Sequence, residues 1–311
     1  MSNPWKDYLQ NFRDNLPAGV TYREDIARYV FNDKRFILPN DVVRYKNYLE
    51  KLGFSAFDPD ALAYLTAVET ADGEALEDDV KDAINDFVVG CKDDAIWDAL
   101  KASCILAGAR TLNGCLVPLV GTAPTNFNFV SGDYNRKTGL KGDGSTKYLD
   151  SNRANNADPQ DSNHNAFWVS LSATGGGATI RHKMSSDPEA VPGFNNFFTR
   201  GTDLFAGSRL PDNINRLNLS GQGNGTTGFK GHSRGAAGGY AVRSGGANTA
   251  ATAASTTPTA TNVIIFDRGP TPPNAPTDAR LSFYSIGESI DLAALDARVS
   301  TLMTAIDGAI T

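Results

Sequence analysis

The hydrophobic pattern of this chain changes period near residue 100, and that switch limits what it can fold into. Before it, apolar residues recur at the three- and four-residue intervals of a helix face. Trp5, Tyr8, Leu9 and Phe12 fall at i, i+3, i+4 and i+7, and Tyr22 to Phe31 repeats the pattern with Ile26, Tyr29 and Val30. Asn40-Asp41 caps a third segment carrying Val42, Val43, Tyr45 and Leu49, which Gly53 stops. Asp58-Pro59-Asp60 is a capped start with proline at the first helical position, followed by Leu62, Leu65 and Val68. A second start at 72–74 leads into Leu76, Val80, Ile84, Phe87 and Val88.

After residue 100 glycine, asparagine, threonine and serine separate short apolar or alternating runs. These runs predict strands at Cys104–Ala107, Cys115–Val120, Ser145–Leu149, Ala166–Ser172, Ala178–His182, Asn196–Thr199, Asp203–Ala206, Arg216–Leu219, Tyr240–Arg243, Asn262–Asp267 and Arg280–Ser285. Gly221–Gly246 holds ten glycines, but Phe229, Tyr240 and Val242 punctuate it, so it reads as a hairpin. Ala247–Thr261 is Ala/Thr/Ser/Pro-rich and reads as a long exposed loop. Helical period returns after Asp291 with Leu292, Leu295, Val299, Leu302, Met303 and Ile306 on one stripe. The pattern predicts an α+β chain: a small helical N-terminal module over 1–70, a helical connector over 71–100, and an antiparallel β-sandwich or jelly roll with a C-terminal helix over 101–311.

The 311 residues suffice for a real core without disulfide or metal staples. Cys91, Cys104 and Cys115 are odd in number, form no Cys-x-x-Cys pair and have no histidine nearby, so they read as buried thiols. No apolar run reaches the roughly 18 residues of a membrane span, and the charged start MSNPWKDYLQ is unlike a signal peptide, so neither membrane insertion nor classical secretion is expected. Residues 1–90 carry 10 basic and 17 acidic side chains, and the remainder 19 and 18. Neither part offers the basic surface that displaces counterions from phosphates, which argues against a nucleic-acid partner.

Two stretches carry a family resemblance. Gly139-Leu140-Lys141-Gly142-Asp143-Gly144-Ser145-Thr146-Lys147-Tyr148-Leu149, followed by Asn165-Ala166-Phe167-Trp168-Val169-Ser170, resembles the opening of a concanavalin-A/laminin-G-type domain. Leu281-Ser282-Phe283-Tyr284-Ser285-Ile286-Gly287-Glu288-Ser289-Ile290 is similar to the closing strand and turn of such domains. The match covers about 200 residues at the C-terminal side. Cys104–Tyr148 also resembles structural proteins of tailed bacteriophages. That resemblance implies a virion protein of the fibre, spike or decoration kind, assembled in the bacterial host cytoplasm with other virion structural proteins. Its N-terminal module would mount it on the particle, and its lectin-like domain would face host-surface polysaccharide. Symmetric assembly is then expected, with a trimer as the guess. Trp5, Tyr8, Phe12 and Phe31 suit a groove on a virion partner or form the module's own core. The stripe after Asp291 is either an oligomer seam or a face laid on the sandwich.

The chemistry points away from catalysis. Sandwich glycosidases need two carboxyl groups about 5–9.5 Å apart, and the only glutamates after residue 90 are Glu189 and Glu288. Cleavage would have to rest on aspartates such as Asp133, Asp143 or Asp203. His164, His182 and His232 sit in unrelated contexts and read as solvated or hydrogen-bonded surface residues, and Ser233 beside His232 would point to the opposite face of a strand. No phosphate loop, nucleophile elbow or His-Glu-x-x-His occurs. The oxygen-rich stretch Asp150–Asn163, with Asp150, Asp158 and Asp161, is a candidate calcium loop, against the plainer reading of Asx-turns. Glycan binding needs aromatic faces beside planar polar groups. The candidates in apparent loops are Tyr134, Asn135 and Arg136, then Phe194, Asn195 and Arg200, while Trp168 reads as core. A cement protein without a ligand site would share this fold, so fold alone does not choose.

Overall fold

A computed structural model describes residues 57–310 apart from 174–178, 187–190 and 270–273, together with the backbone of three short strands nearer the N-terminus. The chain divides into two compact units, Met1–Ala56 and Phe57–Thr311. In the first, β1 (Val20–Arg23), β2 (Arg28–Phe31) and β3 (Lys34–Arg35) form an antiparallel meander with Tyr22 opposite Tyr29. The helix expected over Tyr22–Phe31 is therefore a pair of strands. Their β-branched and aromatic residues suit a pleated surface better than a helix. Phe31 ends β2 opposite Val20. Trp5, Tyr8, Phe12 and the segment over 40–53 lie outside the described residues.

The boundary at Ala56/Phe57 replaces those expected at 70 and 100, because the next helices pack into the sandwich core. In α1 (Pro59–Asp72), the Asp58 carboxylate accepts from Asp60 N and Gly73 closes the end at φ 70°. Next come α2 (Asp78–Asp93), β4 (Leu100–Ile105), the single turn α3 (Leu112–Cys115), β5 (Thr125–Phe127), β6 (Tyr134–Asn135), β7 (Gly139–Lys141) and β8 (Tyr148–Ala154). Then follow β9 (Asn163–Leu171), β10 (Ile180–Ser185), β11 (Phe194–Arg200), β12 (Asp203–Leu210), β13 (Leu217–Leu219), β14 (Gly228–Ala236), β15 (Gly239–Ser244) and β16 (Ala247–Thr252). The chain closes with β17 (Asn262–Ile265), β18 (Arg280–Gly287) and α4 (Leu292–Ala309).

Two antiparallel sheets make the sandwich. One runs β13-β12-β11-β10-β17-β8-β5, the other β16-β15-β14-β9-β18-β7-β6 with β4 also on β18. Phe167 of β9 meets Phe197 of β11 edge to face at 5.2 Å, and the Tyr240 hydroxyl of β15 donates to Ala206 O of β12, so these side chains fill the space between the sheets. Helices α2 and α4 cover the other side of the second sheet, with Phe87 against Phe283 at 5.8 Å. Leu292 packs where Gly231 leaves room for it. Leu292, Leu295, Val299, Leu302, Met303 and Ile306 are all buried within this unit, so the α4 stripe lies on the sandwich and is not an oligomer seam. Trp168 is half-buried, packed against the core.

Several local expectations change. Cys115–Val120 is not a strand: the Asp72 carboxylate accepts from Arg110 N, Thr111 N and the Thr111 hydroxyl, and that anchor winds α3 before Val120 bridges to Ser103. Ala247–Thr261 begins as edge strand β16, because Gly245 and Gly246 both take positive φ and turn β15 back on itself. Its second half is a strap in which Thr256 N donates to Arg209 O and Thr259 N to Gly193 O. Asp150–Asn163 is not one loop, since β8 runs to Ala154. All three cysteines are free and buried, and burial pushes the Cys91 and Cys104 thiols up to about 12.

The three histidines are buried, contrary to the surface role expected of them. His164 Nδ1 donates to Glu288 O and its Nε2 accepts from the Ser285 hydroxyl, a neutral tautomer that burial protects by holding its pKa near 4. Burial likewise pushes His182 and His232 well below the usual range. Unfolded histidines titrate near 6.5. The histidine contribution to stability is therefore complete above about pH 6.5 and is lost as pH drops from there toward 4, because only the unfolded chain takes up these protons. Denaturant midpoints at pH 7.5, 6 and 5 should fall in that order, and His164→Gln should flatten the slope. At Gly193, with φ +88°, a Cβ would lie 1.8 Å from Thr257 O of the strap. Gly193→Ala should cost about 2–4 kcal/mol in urea unfolding.

Candidate functional site

Strand β11 builds the best candidate face from its alternation. Asn195, Phe197 and Thr199 point between the sheets, while Phe194, Asn196, Phe198 and Arg200 point away from them. The two-residue connection Gly201-Thr202 fixes the register of the next strand, setting Arg200 opposite Asp203 and Phe198 opposite Phe205. On the other side His182 of β10 pairs with Phe198, and beyond Phe205 lies Asn218 of β13. One row across four strands thus carries His182, Phe198, Phe205 and Asn218.

The rings of this row stack, and arginines lie on them. Phe198 and Phe205 are 4.8 Å apart and within 5° of parallel, and His182 sits 5.1 Å from Phe198. The Arg200 guanidinium lies 5.0 Å from the Phe205 ring, and that of Arg216 lies 5.0 Å from Phe194 and 5.2 Å from Phe198. Such contacts lay a guanidinium flat on a ring, with its N–H donors in a plane parallel to that ring. Arg200 is exposed and Arg216 partly so, with exposed Ile180 and the 88 % exposed Ile214 among the apolar neighbours in sequence. Asp203 accepts from Asn218 Nδ2 at 3.2 Å. Burial, then Arg268, Arg216 and Lys183, keep His182 uncharged. The face therefore offers cationic donors and aromatic rings. Carboxylates, sulfates and vicinal hydroxyls match the donors, and the C–H side of a sugar ring matches an aromatic face.

The residues expected from sequence divide sharply. Arg200 belongs to this face. Phe194 also does, but on a strand instead of a loop and only 1 % exposed beneath Arg216, so it supports and does not contact. Asn195 turns inward, accepting from Arg209 N and donating to Asn155 Oδ1. Tyr134, Asn135 and Arg136 are spent on structure. The Tyr134 hydroxyl donates to Ala109 O, and Asn135 Oδ1 accepts from Lys137 N, Thr138 N and the Thr138 hydroxyl. Arg136 forks onto both Glu77 oxygens at 3.0 and 2.6 Å, which holds Glu77 down near 2. Sequence reading missed Phe198, Phe205, Arg216 and His182. The signal for the first two was the hairpin turn at Gly201, which fixes Phe opposite Phe.

The calcium loop does not assemble. Asp150 accepts from Asn152 N and Asn262 Nδ2, Asp158 pairs with Arg153 at 2.5 Å, and Asp161 accepts from the Ser255 hydroxyl. Among the described residues no group of three His, Cys, Asp or Glu side chains is placed to hold a metal. The aspartates weighed for cleavage are likewise held locally: Asp133 on Lys147 at 2.6 Å, Asp143 in a turn accepting from Ser145, Thr146 and Lys147 backbone N–H groups, and Asp203 on Asn218. The Glu288 carboxylate meets Lys101 at 3.1 Å. No described helix is long and apolar enough to cross a membrane.

No protein-family model matches the chain, and no curated protein matches it. Solved structures do resemble it. A botulinum neurotoxin serotype D binding domain aligns at 9% identity and TM-score 0.45, over 66% of this chain and 51% of that one. A structure described as "Cell entry of botulinum neurotoxin type C is dependent upon interaction with two ganglioside molecules" aligns at 11% identity and TM-score 0.44, over 66% and 51%. The Ruminococcus gnavus IT-sialidase CBM40 bound to alpha2,3 sialyllactose aligns at 11% identity and TM-score 0.35, over 44% and 82%. The chain thus spans about half the length of the toxin domains it resembles. With identities this low, the assignment to a two-sheet antiparallel sandwich rests on the strand pairing itself.

Proposed function

We propose that this chain is a non-catalytic, lectin-like glycan-binding protein whose contact surface is the outward face of β10–β13. The arginine–phenylalanine ladder of Arg200, Phe205, Phe198 and Arg216 carries this reading. It combines planar donors with aromatic rings on a rigid sheet, which are the two kinds of group a sugar engages. The candidate carboxylates, by contrast, are committed to separate local partners, which speaks against a cleavage centre. The setting we propose is a bacteriophage particle, mounted through the N-terminal unit and assembled as a homo-oligomer. Its support is the sequence resemblance over Cys104–Tyr148.

A glycan array with the full chain, followed by titration of the best ligand, tests the binding. Arg216→Ala and Phe205→Ala should each weaken affinity about tenfold or more, in line with roughly 1–3 kcal/mol for a charge-assisted hydrogen bond or a stacking contact. Unchanged affinity in both would overturn the assignment of this face. Arg136→Ala should behave oppositely: binding intact, but stability lower by about 1–2 kcal/mol, since it breaks a half-exposed bidentate pair. Saturable binding to any array glycan is required. A folded chain that binds none would favour a cement protein instead.

A further inference from the structure

Two lysines lie buried beneath one glycine-rich loop, away from the outward face. Lys183 and Lys230 are 3 % and 1 % exposed, and among the described residues neither forms an ion pair with a carboxylate. Lys183 is the extra residue of the bulge where β10 meets β11, and its Nζ donates to the Thr199 hydroxyl at 3.0 Å and to Arg181 O at 3.4 Å. Lys230 Nζ donates to the hydroxyls of Thr226 at 2.9 Å and Ser244 at 3.0 Å. An ammonium has three donors, so each keeps one that no acceptor among the described residues takes. A buried cation without a carboxylate is costly, and such groups are paired or neutralised.

The loop above them is built by alternation. Gly221, Gly223 and Gly225 separate Gln222, Asn224 and Thr226, and the second group reaches down. Thr199 donates to Asn224 Oδ1 at 2.6 Å, Ser244 donates to Gln222 Oε1 at 2.9 Å, and Thr226 accepts from Lys230. Gly223 is required here, because a Cβ would lie 2.5 Å from Asp203 N. Gln222, Asn224 and Thr226 are partly exposed, whereas the lysines they reach are buried. The same loop thus meets both ammonium groups: Lys183 through Thr199 to Asn224, and Lys230 through Thr226 and through Ser244 to Gln222.

We propose that Lys183 and Lys230, with the hydroxyls of Thr199, Thr226 and Ser244, form a binding site for a sulfate- or phosphate-sized oxyanion. On binding, the oxyanion replaces the amide oxygens of Asn224 and Gln222 as acceptor for the Thr199 and Ser244 hydroxyls and takes the spare N–H of each lysine. Asp278 and Arg181 are the other charged groups bearing on Lys183, with opposite signs. Burial brings Lys183 to about 7 and Lys230 to about 8, so the oxyanion binds with uptake of protons near neutrality and binding weakens as pH rises above 8. This site stands apart from the proposed glycan face and does not depend on it.

The first measurement is thermal unfolding of the full chain with sodium sulfate or inorganic phosphate at pH 6.5, against sodium chloride at equal ionic strength. At 100 times the dissociation constant the midpoint should rise about 5–10 °C. Sulfate also stabilises proteins by exclusion from their surface. Lys230→Met and Lys183→Met must therefore lose the increment that chloride does not give. An increment equal in wild type and variants would overturn the site and leave an adventitious ion only. Should the variants not fold, calorimetric titration of wild type with phosphate in two buffers of different ionisation heat reads proton uptake directly. Uptake at pH 8 that shrinks at pH 6 supports the site, and no heat or no uptake refutes it.

Discussion

The pairing of β9 with β18 is the constraint on which the rest depends. It joins residues more than a hundred positions apart in register from Leu171 opposite Arg280 to His164 opposite Gly287. On one side of this seam Phe167 and Tyr284 fill the sandwich. On the other, Phe283 receives Phe87 of α2, and Leu292, just past the strand, starts α4. Until β18 arrives, α2 has no sheet to lie on, β4 has no partner strand, and the second sheet is missing its centre. Long-range pairing of this kind carries a loop-closure cost before any contact repays it, which makes slow folding the expectation for this unit.

The sandwich interior at one end is polar, and the backbone is what makes that tolerable. Arg234 points between the sheets and is fully buried, yet its guanidinium donates to the carbonyls of Ser208, Ala236, Ala237, Gly239 and Ala253 and stacks on Tyr240. Arg209 reaches the carbonyls of Asn155 and Pro159. Asn163, Asn195, Asn155 and Ser208 link side chain to side chain around them. A planar fork of five donors can satisfy itself on carbonyl groups in this way, whereas a compact ammonium gathers fewer acceptors. Arg234 therefore ties strand ends together, while Lys183 and Lys230 keep donors to spare. Truncating either arginine would leave several carbonyls buried without donors, a larger loss than removing a surface charge.

The architecture was legible where local rules and tertiary context agree. Asp58-Pro59 and Asp291 announce helix starts that the structure confirms with side-chain caps, and the glycines around 221–246 do serve a hairpin. It was not legible where a distant group decides. Nothing near Cys115 reveals that Asp72 will wind that segment into a turn, and nothing in Tyr134-Asn135-Arg136 shows that Ala109, Thr138 and Glu77 will consume all three. Loop-like composition suggested exposure there, but polar side chains in turns are the ones the backbone recruits. Conversely, the ladder residues Phe198 and Phe205 sit mid-strand, where a sequence reading assigns phenylalanine to the core. Of the glycan candidates, only Arg200 and, beneath Arg216, Phe194 point to the face the structure presents.

Which sheet carries the candidate face follows from the helices. Helices α2 and α4 take the apolar surface of Phe283 and Gly231 on one sheet, so that sheet has no broad face left for a ligand. The seven-stranded sheet has no helix among the described residues packed across β10–β13, yet its outward rings are still largely hidden from water. Among the described residues, Arg200 and Arg216 lie on these phenylalanines, where a helix lies on the other sheet. A cation–aromatic cover can slide off a ring at little cost when exposed, about 0.5–1 kcal/mol, whereas a packed helix cannot. The guanidinium groups of Arg200 and Arg216, seated on Phe194, Phe198 and Phe205, are the cations that an acidic or hydroxylated ligand on this face would meet. Binding there would uncover ring faces and engage guanidinium donors in a single local movement, without disturbing the seam that holds the sandwich together.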